Sequence, residues 1–205
     1  MSRPVIVALH GVGANARNMA AALAPLERVA DVIALDGCEP FDRGGSGRQW
    51  FSIAGVTEAN RPMRVATALP RLLDRLDKLA RDRAVDRDAL ILVGFSQGAI
   101  MTLAMVAQGL HKGPAVAIAG RLAAPVLATR GEGALLLLVH DLDDQVMPST
   151  LADDAAARFG AAGHKIVLRH TEGVGHGIGQ PTTAAISDWL AATAAPRPIP
   201  SLIEG

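Results

Sequence analysis

The chain predicts an α/β layered fold, a mostly parallel central sheet with helices on both faces. Three observations carry that prediction. Short apolar runs alternate with longer amphipathic stretches along the 205 residues, which is how a strand–helix succession reads. Most of those runs are continuously apolar, as strands buried on both faces of a parallel sheet are. Successive parallel strands need right-handed crossovers, and these carry the helices onto the faces of the sheet. The length suits one domain and leaves little spare chain for a large cap.

The elements follow in order. A first strand, Val5–Leu9, runs into a glycine turn. A helix is expected over 16–28 and a second strand over 32–35. Residues 36–56 then break the rhythm with five glycines and a proline around Trp50 and Phe51, too long for a plain connection and of a kind that is often functional. In the helix expected over 58–83, Val65, Leu69, Leu72, Leu73, Leu76 and Leu79 recur at helical spacing among Arg, Asp and Lys, and Pro70 predicts a kink. Further strands are expected over 90–94, 115–119, 135–140 and 165–170, with helices over 97–108, 149–159 and 182–193. Residues 1–194 are expected to form a single domain. Residues 195–205, with three prolines and no periodicity, are expected to be a flexible tail.

Composition narrows the function classes. Lys plus Arg and Asp plus Glu both total 20, so the basic excess of a nucleic-acid binder or of an anionic membrane surface is absent. Cys38 is the one cysteine, which excludes an intramolecular disulfide and a cysteine-based zinc site. The apolar runs at 5–9 and 134–139 are too short for a signal core or a membrane span. A cytoplasmic protein without integral membrane association is expected. With no tyrosine in the chain, Tyr cannot act as an acid.

The sharpest local signal is Gly94-Phe95-Ser96-Gln97-Gly98 between a buried strand and a helix. A Gly-x-Ser-x-Gly turn in that context strains the serine backbone and lifts Oγ above the sheet. Larger residues two places either side would collide with the neighbouring strand and helix. The helix N-terminus adds amide donors near a developing oxyanion. A glycine-flanked serine capping a helix is the plain alternative. A serine nucleophile needs a base. His176, in Gly173-Val174-Gly175-His176-Gly177, follows a strand and precedes the last helix, in the chain order Ser…Asp…His of such sites. His10 and His140 close strands and suit scaffold roles. His164 and His170 flank a strand as structural or solvated groups, and His111 falls at a solvated turn. The orienting acid belongs in His140-Asp141-Leu142-Asp143-Asp144-Gln145, after the strongest apolar strand. Asp144 is the choice and Asp143 the alternative, which spacing does not separate; Asp141 suits shaping the turn. Leu9-His10-Gly11-Val12-Gly13 can turn a second amide toward the substrate, so the backbone N–H groups of Val12 and Gln97 are the expected oxyanion donors. The same glycines, with Ala16 in the third place and Asp31 or Asp36 to read a ribose, keep a dinucleotide-binding oxidoreductase open as an alternative. That alternative leaves Ser96, Asp144 and His176 without a role.

Together these blocks resemble the α/β-hydrolase superfamily and, within it, the phospholipase/carboxylesterase family of acyl-protein-thioesterase relatives. Leu9-His10-Gly11-Val12-Gly13 is similar to its oxyanion block, Gly94-Phe95-Ser96-Gln97-Gly98-Ala99 to its elbow, Asp144-Gln145-Val146-Met147-Pro148 to its acid block and Gly175-His176 to its base block. The resemblance favours Asp144 over Asp143. Gly47-Arg48-Gln49-Trp50-Phe51-Ser52-Ile53 with Thr57-Glu58-Ala59-Asn60-Arg61 resembles the YpfH-type bacterial esterases more narrowly. Ser52, Ala14 and Asp141 depart from residues common in the family, where Asp, Asp after the oxyanion turn, and Gly are usual. The resemblance implies a serine carboxylesterase acting on a small-molecule acyl ester or thioester, with no cofactor and no metal. Trp50 and Phe51 are expected to line the acyl side of an open groove, a core position for Trp50 being the alternative. A non-hydrolytic binding module is the further alternative. A homodimer through an exposed apolar surface is compatible with the sequence, and no feature requires one.

Overall fold

The computed structural model describes residues 3–129 and 133–194. Six strands, β1 (Val5–Leu9), β2 (Asp31–Leu35), β5 (Ile91–Phe95), β6 (Ala115–Ile118), β7 (Leu135–Asp141) and β8 (Lys165–Thr171), form one sheet in the order β2-β1-β5-β6-β7-β8. Every pairing in it is parallel. The expected strands are therefore found, each end within a residue of its predicted place. A two-residue antiparallel ribbon, β3 (Glu39–Pro40) with β4 (Arg48–Gln49), lies within the long glycine-rich segment.

Side-chain alternation along the strands divides the apolar interior into two cores. Val7, Leu9, Leu92, Ala117, Leu136 and Leu138 face α2 (Arg61–Arg83), α3 (Gln97–Ala107) and α4 (Thr150–Ala161). Ile6, Ala8, Val93, Val116, Leu137 and Val139 face α1 (Ala16–Leu23) and α5 (Gln180–Ala194). Helices thus cover both faces, which is why the central strand runs are continuously apolar, whereas the edge strand β8 carries exposed Lys165, Arg169 and His170. All eleven residues of α3 are buried, and its apolar sequence has no polar stripe because no side of it meets water.

Two helices differ from expectation by three residues or more at one end, for local reasons. The first stops at Leu23 and continues as a 3₁₀ turn, Ala24–Arg28. Pro25 has no N–H for the Ala21 carbonyl, which accepts from Ala24 instead. The second begins at Arg61 rather than at 58, after Thr57 and Asn60 each accept the other's amide through their side chains. It runs unbroken through Pro70, because that residue lies on the exposed face, where water can take up the carbonyl left free. The expected tail over 195–205 lies outside the described residues.

The chain winds from β1 to β2 on one side and then crosses to β5 on the other. Where that direction reverses, the loops after β1 and β5 leave a crevice at the carboxyl edge of the sheet. Both glycine-rich motifs lie there. No described helix is long and apolar enough to cross a membrane.

Candidate active site

Ser96 is the one residue between β5 and α3. Its backbone sits at φ +50°, ψ −113°, a strained region for a residue with a Cβ. Its amide donates to Ile118 O on β6 and its carbonyl accepts from Ile100 N in α3, so the turn is held from both sides. The flanking glycines are required sterically. A Cβ on Gly94 would lie 2.3 Å from Gly98 O, and one on Gly98 would lie 2.1 Å from Leu9 O.

The structure brings Ser96, His176 and Asp144 together from three separate loops. His176 Nε2 is 3.0 Å from Ser96 Oγ, and His176 Nδ1 is 2.7 Å from Asp144 Oδ2. The Asp144 side chain is fully buried, and its Oδ1 accepts from the amides of Val146 and Met147, both at 2.8 Å. Burial alone would raise this carboxyl, but the Met147 amide, His176 and the Val146 amide together hold it below the usual carboxylate range. An ionised carboxylate only accepts, so Nδ1 carries the imidazole proton and Nε2 accepts from the serine hydroxyl. The Phe95 ring flanks His176 at 5.2 Å between centroids.

The other two acids of that loop serve the backbone carrying the imidazole. Asp141 accepts from Thr171 Oγ1, Val174 N and Gly175 N, and Asp143 accepts from Gly173 N. Gly173 and Gly175 both take positive φ, the left-handed turns that let the loop fold back on β7. Behind them His140 Nε2 donates to Met147 O at 2.8 Å and lies 3.3 Å from Asp144 Oδ2.

The loop after β1 is set by His10. Its Nε2 accepts from Gly37 N at 2.8 Å, so Nδ1 carries the proton and donates to Gly11 O at 2.7 Å. Burial lowers the His10 pKa and keeps the ring neutral, against a backbone hydrogen bond to Gly11 that would raise it. In a trans peptide the carbonyl and the following N–H point opposite ways. Tying down Gly11 O therefore turns the Val12 N–H away from His10. Among the described residues neither Val12 N nor Gln97 N has an acceptor.

Residues 36–56 brace this loop from outside. Gly13 N donates to Arg48 O and Arg48 N to Ala14 O. The Gln97 side chain clamps the strap, accepting from Trp50 N and donating to Phe51 O, while Trp50 Nε1 donates to His10 O. Trp50 is 1% exposed and Phe51 5%. Both pack in the core beneath the site, not on the wall of an open groove as expected, because the indole N–H and both backbones find their partners inward. Asp42, which the sequence reading passed over, gathers Gln49 Nε2, Ser52 Oγ and the amides of Ile53 and Ala54. An acid among glycines gave no signal of that role.

The remaining candidates are engaged elsewhere. Asp31 pairs with Arg3 and Arg83, and Asp36 accepts from Ala16 N. His111 is buried rather than solvated, its Nδ1 3.4 Å from Asp88. His164 accepts from Ala134 N and His170 lies 3.0 Å from Asp153. Among the described residues no group of three or more His, Cys, Asp or Glu could hold a metal ion.

Residues 1–194 match the Phospholipase/Carboxylesterase family. Esterase YpfH of Escherichia coli (strain K12) is 33% identical over 181 residues, which span 86% of this chain and 77% of that protein. Among solved structures, esterase PE8 superposes with a TM-score of 0.80 at 23% identity over 93% of both chains. YahD, solved with malic acid, reaches 0.80 at 18% identity over 93% of this chain and 94% of that one. The Bacillus cereus carboxylesterase reaches 0.75 at 18% identity over 93% of this chain and 88% of that one. These structures share the α/β-hydrolase fold.

Proposed function

The chain belongs to the Phospholipase/Carboxylesterase family and is an ester hydrolase of that type, and on that premise we propose that Ser96, His176 and Asp144 act as its nucleophile, base and orienting acid. The observation that carries this reading is the unbroken line of short contacts, Ser96 Oγ to His176 Nε2 at 3.0 Å and His176 Nδ1 to Asp144 Oδ2 at 2.7 Å. Both lie within the reach that proton transfer requires.

Ser96 Oγ attacks the acyl carbon as its proton passes to His176 Nε2. The carbonyl π pair moves to oxygen, and the amides of Val12 and Gln97 hold that oxyanion. Each such donor contributes about 2.7–4 kcal/mol to the transition state. The C–O bond to the leaving alcohol then breaks as His176 Nε2–H protonates the departing oxygen. Water repeats the sequence on the acyl-enzyme, giving the carboxylic acid and the free serine. The Asp144 carboxylate stays ionised and stabilises the imidazolium. Thioesters enter by the same steps with a thiol as leaving group.

The test is hydrolysis of p-nitrophenyl butyrate and of a butyryl thioester by the native protein and by Ser96→Ala. The substitution is expected to lower kcat at least about 10³-fold on both substrates. Native-level turnover by Ser96→Ala defeats the assignment. Ester turnover without thioester turnover confines the activity to oxygen esters.

A further inference from the structure

An apolar cavity of about 180 Å³ adjoins the reacting groups on the α1 side of the sheet, lined by Gly11, Ala14, Met19, Ala22, Phe95 and Ile178 among others. It shares its walls with the site. Phe95 precedes Ser96 and flanks the His176 ring, and Ile178 lies two residues beyond His176. The Cβ that Gly11 lacks would stand 3.2 Å from Ser96 Cβ and 3.0 Å from the Phe95 ring. Glycine at that position keeps the way from nucleophile to cavity open. The long strap, where the sequence reading placed the acyl side, instead fills its own face with Trp50 and Phe51.

We propose that this cavity holds a straight hydrocarbon arm of the ester, about six carbons long, and that Ala22 and Ile178 set its length. The proposal rests on the reading of Ser96 as nucleophile. Its size follows from volume, since an apolar cavity of about 150 Å³ takes up one benzene, a six-carbon ligand. Ala22 and Ile178 also border a second cleft, of about 410 Å³, between α1 and the start of α5. Because the two residues line both spaces, the size of their side chains governs how far an arm can extend from the first toward the second. A charged or strongly hydrated substituent at the arm's end is disfavoured, because the polar members of the lining are His10, whose ring nitrogens are already bonded to Gly11 O and Gly37 N, and Asn18, and the rest is aliphatic, aromatic or glycine.

The test measures kcat/KM along two series, p-nitrophenyl alkanoates that lengthen the acyl group and alkyl acetates that lengthen the alcohol. Each buried methylene is expected to raise kcat/KM about fourfold, up to a maximum near six carbons in one series. The series that shows it assigns the cavity to the acyl or the alkoxy arm. Ala22→Phe fills the cavity and is expected to lower the hexyl-to-acetyl ratio by tenfold or more. Ile178→Ala joins the two cavities and is expected to move the maximum to eight carbons or beyond, which also guards against an Ala22→Phe protein that fails to fold. Acetate hydrolysis with a flat profile in both series, or a maximum that neither substitution moves, overturns the cavity assignment alone. No hydrolysis of any ester by the native protein, with no covalent labelling of Ser96 by a fluorophosphonate, overturns the hydrolase reading and this proposal together.

Discussion

Gly98 gives the sharpest quantitative handle on how the fold holds the site. Its missing Cβ would lie 2.1 Å from Leu9 O and 2.8 Å from His10 O. Both obstacles are backbone, so no rotamer change relieves them. Gly98→Ala must push α3 from the end of β1 by roughly 1 Å, and displacement on that scale typically costs about 10²-fold in rate. The pushed atoms matter chemically. His10 O accepts the Trp50 indole N–H, and the loop beginning at His10 carries Val12, while Gln97 at the head of α3 carries the other amide donor. Overpacking of this kind also costs about 1–3 kcal/mol of stability. Gly160 in α4 is the control, since its added Cβ would meet nothing within 4 Å and helix propensity makes Gly160→Ala neutral or stabilising by up to about 1 kcal/mol. Urea denaturation and p-nitrophenyl acetate turnover read both effects. A Gly98→Ala protein with native stability and a kcat within threefold of native refutes the steric account.

Three further outcomes are expected. Asp144→Asn should lower kcat by about 10⁴-fold through the wrong imidazole tautomer, whereas Asp143→Asn, removed from His176 and bonded to Gly173 N, should cost far less; steady-state kinetics on both compares them. Gln97→Ala leaves Trp50 N and Phe51 O buried without their partner, so a stability loss of about 1–3 kcal/mol for each unmade bond is expected in urea melts. Stability should fall as pH drops below 6.5. Burial lowers the pKa of His10, of His111 and of His164, so the unfolded chain binds more protons in that window and stability rises with pH across it. Denaturation midpoints at pH 7.5 and 5.5 check this, with His111→Gln expected to flatten the slope.

Much of the fold was legible because the four central strands are buried on both faces, and a continuous apolar run reads the same wherever it lies. The elbow was legible for a related reason. The two glycines, Gly94 and Gly98, sit within five residues of each other and of Ser96, so the pattern is local in sequence, although the Gly98 constraint comes from Leu9 O on β1. The clustered acids of the 141–144 loop were not separable by spacing. Asp141, Asp143 and Asp144 differ in what they meet 30 or more residues away, at Thr171, Gly173 and His176. Trp50 misled for a similar reason. An aromatic in a glycine-rich loop near a site suits either a wall or a core, and its inward position depends on Gln97 and His10, contacts separated by 47 and 40 residues. The split of the first helix followed from Pro25, a local signal that was available. The tolerance of Pro70 followed from which face of α2 meets water, which periodicity shows only after the packing partner is known.

Catalysis by this chain requires an activated hydroxyl at Ser96, which covalent labelling reads out without a substrate. A fluorophosphonate probe, followed by intact-mass measurement and peptide mapping, should place one adduct on Ser96, with the labelling rate falling at least about 10³-fold in His176→Ala. An adduct on another residue, or an undiminished rate in His176→Ala, contradicts it.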